Sequence, residues 1–232
     1  MEQIPTHSSN DSLKRIKQIQ ERLDLGIQPI IDSLALNVGH LLEAKGTLFN
    51  DSQILLSCDQ IAFVLSVIPN QYRPSKKISL LYRASRDGWY FKDFHRLCDN
   101  QGPTIVLIKC RKGRVCGGYS RLPWTSPTYA GVLKPDKDAT IFSVDYRQAF
   151  PVLDKNQAVF HHHACGPNFG NGVLRLYKEP MNCENGGGCY CEFQTETYRV
   201  AADHDGNSVM TGEGKSTFSC FTCKELEVYL IK

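Results

Sequence analysis

Short apolar runs separated by turn residues make up most of the chain after Pro69. Runs of this length, bounded by turn-forming residues, are typical of β-strands. The predicted strands are Ser79–Arg83, Thr104–Lys109, Arg114–Tyr119, Ala139–Val144, Ala158–His163, Val173–Tyr177 and Leu226–Ile231. Several short strands with few helices between them favour an α+β, mainly β domain with an antiparallel two-sheet core.

Helices are predicted at only a few places in this domain. A helix capped by Asp51 or Ser52 is expected to run toward Pro69, because aspartate and serine accept the free amide hydrogens at a helix start. A second, short helix is predicted over Tyr90–Cys98. The turn at Gly113 is expected to join two neighbouring strands as a hairpin.

Residues 1–46 have a different pattern. Residues 1–10 form a polar tail, and residues 11–46 carry apolar side chains at steps of three, four and seven, which describe one face of a helix. Gly26 and Pro29 are expected to kink or divide this amphipathic segment. Its apolar face consists of Ile16, Leu23, Ile27, Ile30, Leu34, Val38 and Leu41.

The sequence leaves open what covers that apolar face. It packs either on the chain's own globular domain, assigned to residues 51–232, or on a partner chain as a dimerising helix. The stripe is too short to indicate a coiled coil, which needs three or four sustained heptads.

Composition and charge exclude some classes of protein. With 41% hydrophobic and 22% charged residues among 232, the chain resembles globular proteins that bury a core. The formal net charge of +3 is small and spread along the chain, so nucleic acid is not an expected partner. A solvated hairpin tip is predicted for the basic residues around Gly113, which are Lys109, Arg111, Lys112 and Arg114.

A cytoplasmic protein is predicted. No stretch approaches the ~20 continuous apolar residues that span a bilayer, and residues 1–10 lack the apolar centre of a secretion signal. The ten cysteines are therefore expected to be reduced and to serve mostly as small core residues. Burial is expected for Cys98, Cys110 and Cys116. Better candidates for an oxidant sensor flank a glycine loop, and they are Cys183, Cys189 and Cys191.

Candidate catalytic and cofactor motifs are all incomplete. Gly214-Lys215-Ser216 ends like a phosphate-binding loop, but Val209 stands where that motif requires glycine. Neighbouring strand residues face opposite sides, so at most two of His161–His163 could reach one metal ion. The pair Cys220 and Cys223 lacks a second pair at zinc-site spacing. We expect no catalytic residues, no metal and no cofactor, and a zinc- or thiol-dependent enzyme is the alternative.

Six segments of the chain carry a family resemblance. They are Leu80–Gly88, Phe94–Ile108, Cys116–Tyr119, Pro123–Trp124, Gly166–Gly170 and Lys224–Tyr229. In this order they resemble the TLDc domain family. The resemblance implies a sandwich of two antiparallel sheets flanked by a few helices. The motif positions that it marks are Ser85, Arg86, Asp87, Gly88, Gly117, Gly118, Trp124, Gly166, Pro167, Phe169, Gly170, Glu225 and Glu227.

Several motif residues also have structural explanations. Asp87 is expected to accept backbone donors in a turn, and Gly88 to take a backbone angle that other residues avoid. The Gly117-Gly118 pair suggests a bulge or a close approach of two backbones. Glu225 and Glu227 lie on one face of the last strand, either as an acidic surface for a partner or as a solvated strand edge.

The resemblance implies a function in binding. Some relatives associate with the vacuolar-type proton pump and modulate its assembly or activity, and the family is linked to protection against oxidative damage. We expect a non-enzymatic protein-interaction module that binds such an assembly, in the cytoplasm or peripherally on a membrane-bound complex. The alternative is a structural subunit built permanently into a ciliary or cytoskeletal array.

Overall fold

A computed structural model describes residues 48–49, 51–72, 78–183, 189–191, 197–198, 206–213 and 219–232, together with four residues near the N-terminus. The chain divides into two units, residues 1–44 and 45–232. In the first unit, the described residues Arg15, Lys17, Gln18 and Gln20 are helical and exposed. The predicted apolar face from Ile16 to Leu41 lies outside the described residues and stays a prediction.

Twelve strands form two six-stranded antiparallel sheets in the described part of the second unit. The first sheet has the spatial order β1 (Ile78–Arg83), β12 (Cys223–Ile231), β2 (Thr104–Cys110), β3 (Val115–Ser120), β5 (Thr140–Ser143) and β6 (Gln148–Pro151). The second has the order β11 (Ser219–Phe221), β10 (Cys189–Cys191), β9 (Leu174–Leu176), β8 (Asn168–Phe169), β7 (Val159–His161) and β4 (Val132–Lys134). The predicted mainly β, two-sheet antiparallel fold is confirmed.

Four α-helices accompany the sheets in the described ranges. They are α1 (Cys58–Ser66), α2 (Ala84–Asp87), α3 (Phe91–Cys98) and α4 (Gly206–Thr211). The predicted start of α1 at Asp51 or Ser52 is wrong, because Ser57 caps this helix by accepting from the Gln60 amide at 3.2 Å. Ser52 accepts instead from the Leu55 amide in a preceding turn, at 2.9 Å. None of the described helices is long and apolar enough to cross a membrane.

Strand β2 lies between two hydrophobic cores. Successive side chains of a strand point to opposite faces. Val106 and Ile108 therefore enter the core that also contains Phe169 of the second sheet. Ile105 and Leu107 enter a second core that includes residues of α1. Burial on both faces explains why this strand is continuously apolar.

The hairpin between β2 and β3 has the predicted turn. Gly113 has a φ of +88°, a left-handed conformation that favours glycine. Its amide donates to the Cys110 carbonyl at 3.0 Å. Arg111 and Lys112 are exposed, as predicted for a solvated tip, whereas Lys109 and Arg114 are half-buried.

Candidate functional site

Trp124 is the point at which three of the motif segments meet. Its buried side chain donates from Nε1 to Thr104 Oγ1 at 3.0 Å. The indole ring lies edge-on to Phe94 of α3 and to Phe169 of β8, with centroid separations of 5.7 and 5.8 Å. The His161 ring lies 5.4 Å away. Segments far apart in the sequence therefore share one aromatic packing centre.

The Arg86-Asp87-Gly88 segment forms the turn from β1 toward α3. Asp87 Oδ2 accepts from the Arg83 amide at 2.9 Å, and Gly88 has a φ of +114°, both as predicted. Burial alone would raise the pKa of Asp87, but hydrogen bonds from the Arg86 side chain and the Arg83 amide lower it. Tyr82 also donates to the Gly88 carbonyl, at 2.7 Å. The turn is thus tied to the sheet from both ends.

Two motif glycines permit close packing. A Cβ at Gly117 would overlap the Val106 carbonyl oxygen, which confirms the predicted close approach of two backbones. A Cβ at Gly118 would overlap the ring of Phe169. The missing side chain therefore lets an aromatic residue of the second sheet pack directly on the first.

The glycine-proline patch that contains Phe169 is buried along its length. Gly166 donates to the Leu176 carbonyl at 2.8 Å, and the Leu176 amide donates to the Pro167 carbonyl at 3.2 Å. Gly170, with a φ of +63°, donates to the backbone carbonyl before β7 at 2.9 Å. These bonds connect neighbouring segments of the second sheet.

Glu227 is buried, so the predicted acidic surface and the alternative of a solvated strand edge are both wrong for it. Strand β12 is central, between β1 and β2. The carboxylate accepts from Arg83 Nε at 2.9 Å, the Gln53 amide at 2.9 Å, Ser52 Oγ at 2.7 Å and Tyr229 OH at 3.0 Å. Four donors satisfy this buried charge internally.

Glu225 is also largely buried, with 8% of its surface exposed. It accepts from the Ser85 amide at 3.2 Å and from the Leu226 amide at 3.0 Å. The prediction of a paired acidic surface therefore fails for both glutamates, because Glu227 holds the end of β1 through Arg83 and Glu225 holds α2 through Ser85.

His95 connects α3 to the loop that follows the histidine run. Its Nδ1 lies 2.8 Å from Asp99 Oδ1. Its Nε2 lies 3.1 Å from the His162 carbonyl and 3.0 Å from the Cys165 carbonyl. Ser126 donates to the other oxygen of Asp99 at 2.5 Å. Because carbonyl oxygens only accept, Nε2 carries a hydrogen in this contact.

A cleft of about 460 Å³ lies beside this His95 contact. Its lining is Phe91, Lys92, His95, Ser126, His163, Ala164 and Glu179. It combines a cation, a carboxylate, two imidazoles and apolar groups, and Glu179 also accepts from the Phe91 amide at 2.5 Å. The motif positions predicted from the sequence do not line it, although His95 lies within one motif segment. The residues that line the cleft are far apart in the sequence, so no sequence spacing predicts it.

The histidine run separates at the end of β7. His161 is buried, with Nδ1 2.8 Å from Thr125 Oγ1. Burial, with a smaller contribution from the charge of Lys134, lowers the pKa of His161 to about 4. His163 is exposed. The described residues contain no group of three or more histidines, cysteines or acids that could hold a metal ion.

The thiols differ in exposure. Cys98, Cys110 and Cys116 are buried, as predicted, and burial raises the pKa of the Cys98 thiol. The prediction of an exposed sensor is wrong for Cys189 and Cys191, which are buried in β10. The third candidate, Cys183, is half-buried, as are Cys58 and Cys165, and Cys220 is exposed.

The two antiparallel sheets, the turn from β1 toward α3 and the buried glycine-proline patch define a β-sandwich of the TLDc type. The sequence model of the TLDc domain matches residues 49–232, and the chain belongs to this family. It is similar to the "MTOR-associated protein MEAK7" of Danio rerio, with 25% identity over 127 residues. The match covers 54% of this chain and 27% of that relative, so the chain spans less than a third of the relative's length.

Proposed function

We propose that this chain is a non-enzymatic protein-interaction module that binds a large protein assembly. The observation that carries the proposal is the internal use of the motif's polar groups. Asp87 and Glu227 are hydrogen-bonded within the domain, and so is Asp99 near the cleft. Groups engaged in this way rigidify the scaffold. The partner is then bound by surface residues that this scaffold holds in place.

The states of Cys98 and of buried His161 support binding without catalysis. A nucleophilic cysteine needs a lowered pKa and access to its substrate. Cys98 is buried and its pKa is raised. His161 is held neutral by burial and lies inside the aromatic centre, beside Trp124. Both groups serve packing in this proposal.

The cleft beside His95 supplies a surface of the appropriate character. Lys92 and Glu179 provide opposite charges, while Phe91 and Ala164 provide apolar contacts. Protein interfaces combine an apolar centre with polar groups at the rim. We propose that a segment of the partner assembly enters this cleft.

The vacuolar-type proton pump is the proposed assembly, as the family resemblance implies, and a role in oxidative stress is proposed with it. The name of the relative associates that protein with mTOR, which makes an mTOR-containing assembly a second candidate partner. The proposed location is the cytoplasm, peripherally on a membrane-bound complex.

A pull-down from native lysate tests this proposal, with partners identified by mass spectrometry. The baits are the full chain, a version lacking residues 1–46, an Ala164→Arg variant that fills the cleft, and an Ala149→Arg control on exposed β6. We expect pump subunits with the first two baits and the control, and about tenfold less with Ala164→Arg, a loss of about 1.4 kcal/mol.

Two outcomes contradict the proposal. Equal recovery with Ala164→Arg would remove the cleft from the interaction. Salt-resistant recovery of ciliary or cytoskeletal proteins that requires residues 1–46 would favour a permanent structural subunit.

A further inference from the structure

A second cavity, of about 310 Å³, lies where the β2–β3 hairpin meets the start of β12. Its lining is Arg111, Asn182, Thr222, Cys223 and Lys224. We call this cavity the bulge pocket. Its described lining holds two cations, one amide, one hydroxyl and one buried thiol, and no carboxylate. Such a lining offers hydrogen-bond donors to a negatively charged group.

A β-bulge sets the position of Lys224. Cys223 pairs with Cys110, and Glu225 pairs with Lys109, so Lys224 is an extra residue between two successive pairs. A bulged residue leaves the hydrogen-bonded ladder, and the bulge redirects its side chain. Lys224 is accordingly exposed, although β12 is a central strand.

The backbone of Arg111 is anchored to the link between β11 and β12. Its amide donates to the Thr222 carbonyl at 2.9 Å, which holds the end of β2 beside the approach to β12. The amide of Cys110 donates to the Arg114 carbonyl at 2.8 Å and closes the hairpin. The backbone carrying this guanidinium is therefore held in place, which reduces the ordering needed on binding.

One carboxylate beside the bulge pocket is engaged elsewhere. Glu225 follows Lys224 in the chain, but its Oε1 accepts from the Ser85 and Leu226 amides. Lys112, on the same hairpin, is exposed and adds positive charge to this end of the domain. Arg111, Lys112 and Lys224 therefore gather positive charge at this end of the domain.

We propose that the bulge pocket binds a carboxylate side chain from an acidic segment of a partner protein, an inference that rests on the proposed binding function. Arg111 presents a planar fork suited to a carboxylate, and Lys224 adds a compact charge. Asn182 and Thr222 can complete the hydrogen bonds. The volume corresponds to roughly ten waters, which accommodates a side chain with its backbone more closely than a lone inorganic ion.

A titration of the purified full chain tests this proposal. The probes are acetylated hexaglutamate, acetylated hexaglutamine, inorganic phosphate and phosphatidylserine vesicles, each at low salt. The test variant is Arg111→Gln with Lys224→Gln. The matched control is Lys137→Gln with Lys155→Gln, which removes the same charge at exposed positions outside the pocket.

We expect hexaglutamate to bind the wild type and the control, and to bind the test variant at least about tenfold more weakly. Equal weakening in the control would show a general charge effect and overturn the proposal. Equal binding of hexaglutamine would also overturn the proposal. So would a result in which phosphate or vesicles, but not hexaglutamate, bind the variant with Arg111→Gln and Lys224→Gln more weakly than the wild type. The titration uses the purified chain without a partner assembly. A negative result would therefore overturn the bulge-pocket proposal and leave the pull-down result unaffected.

Discussion

Arg83 Nε lies 2.9 Å from Glu227 Oε1, and the two residues are register partners on β1 and β12. Both side chains are buried. Ser52 and Gln53 donate to the same carboxylate, so the ion pair also fastens the segment before α1 to the first sheet. A buried pair is most sensitive to the loss of one partner, because the other is left as an uncompensated charge.

Glu227→Gln is expected to lower the free energy of unfolding by about 3 kcal/mol, because Arg83 stays buried without its countercharge. Urea denaturation of the purified chain measures this change. Asp59→Asn is the control, since it breaks an exposed ion pair to Arg147 of 3.1 Å, for which we expect a loss below about 1 kcal/mol. Similar losses in the two variants would contradict the importance of the buried pair.

Gly118→Ala is expected to destabilise the domain by about 2 kcal/mol, because the new methyl group overlaps the Phe169 ring. Thermal or urea unfolding gives the value. Phe169→Leu in the Gly118→Ala background should cost less than it does alone, since it makes room for the methyl group. A double-mutant cycle with no coupling would show that the two residues do not share this contact.

His161 should make stability depend on pH. Its pKa is lowered from 6.5 to about 4, so between these values the unfolded chain binds a proton that the folded chain does not. Stability is therefore lost as the pH falls through this window, by about 3 kcal/mol in total. The test measures the free energy of unfolding of the wild type and of His161→Gln from pH 7 to pH 4, at roughly half-unit steps. The slopes of the two values against pH are then compared.

The control for this dependence is His163→Gln, at an exposed position in the same run. It should keep the slope of the wild type. A His161→Gln variant with an unchanged slope would mean that other groups cause the acid sensitivity.

Thiol labelling should follow burial. In the folded protein, iodoacetamide is expected to modify exposed Cys220 well before buried Cys98, Cys110 or Cys116. Peptide mass spectrometry over a time course identifies each labelled site. Cys220→Ser should remove early labelling at that site, whereas rapid labelling of Cys98 under native conditions would contradict its burial.

Much of the fold could be predicted from local patterns. Runs such as Thr104–Lys109 indicated strands because extended backbone and apolar side chains are encoded within a few residues. Gly113 and Gly88 indicated turns because their backbone angles are a property of glycine itself. The predicted helix over Tyr90–Cys98 agrees with α3 to within one residue for the same local reasons.

The candidate site was decided by the tertiary structure. Glu227 looks like a surface carboxylate in the sequence, but the central position of β12 buries it against Arg83. The cleft brings together α3 and Glu179, which the chain separates widely. Lys224 reaches the bulge pocket because of a register shift that no residue spacing reveals. Local sequence determined which segments form strands and which form helices, since those preferences act over neighbouring residues. Strand order and register determined which charges are buried and which are presented, because they depend on pairing between distant segments.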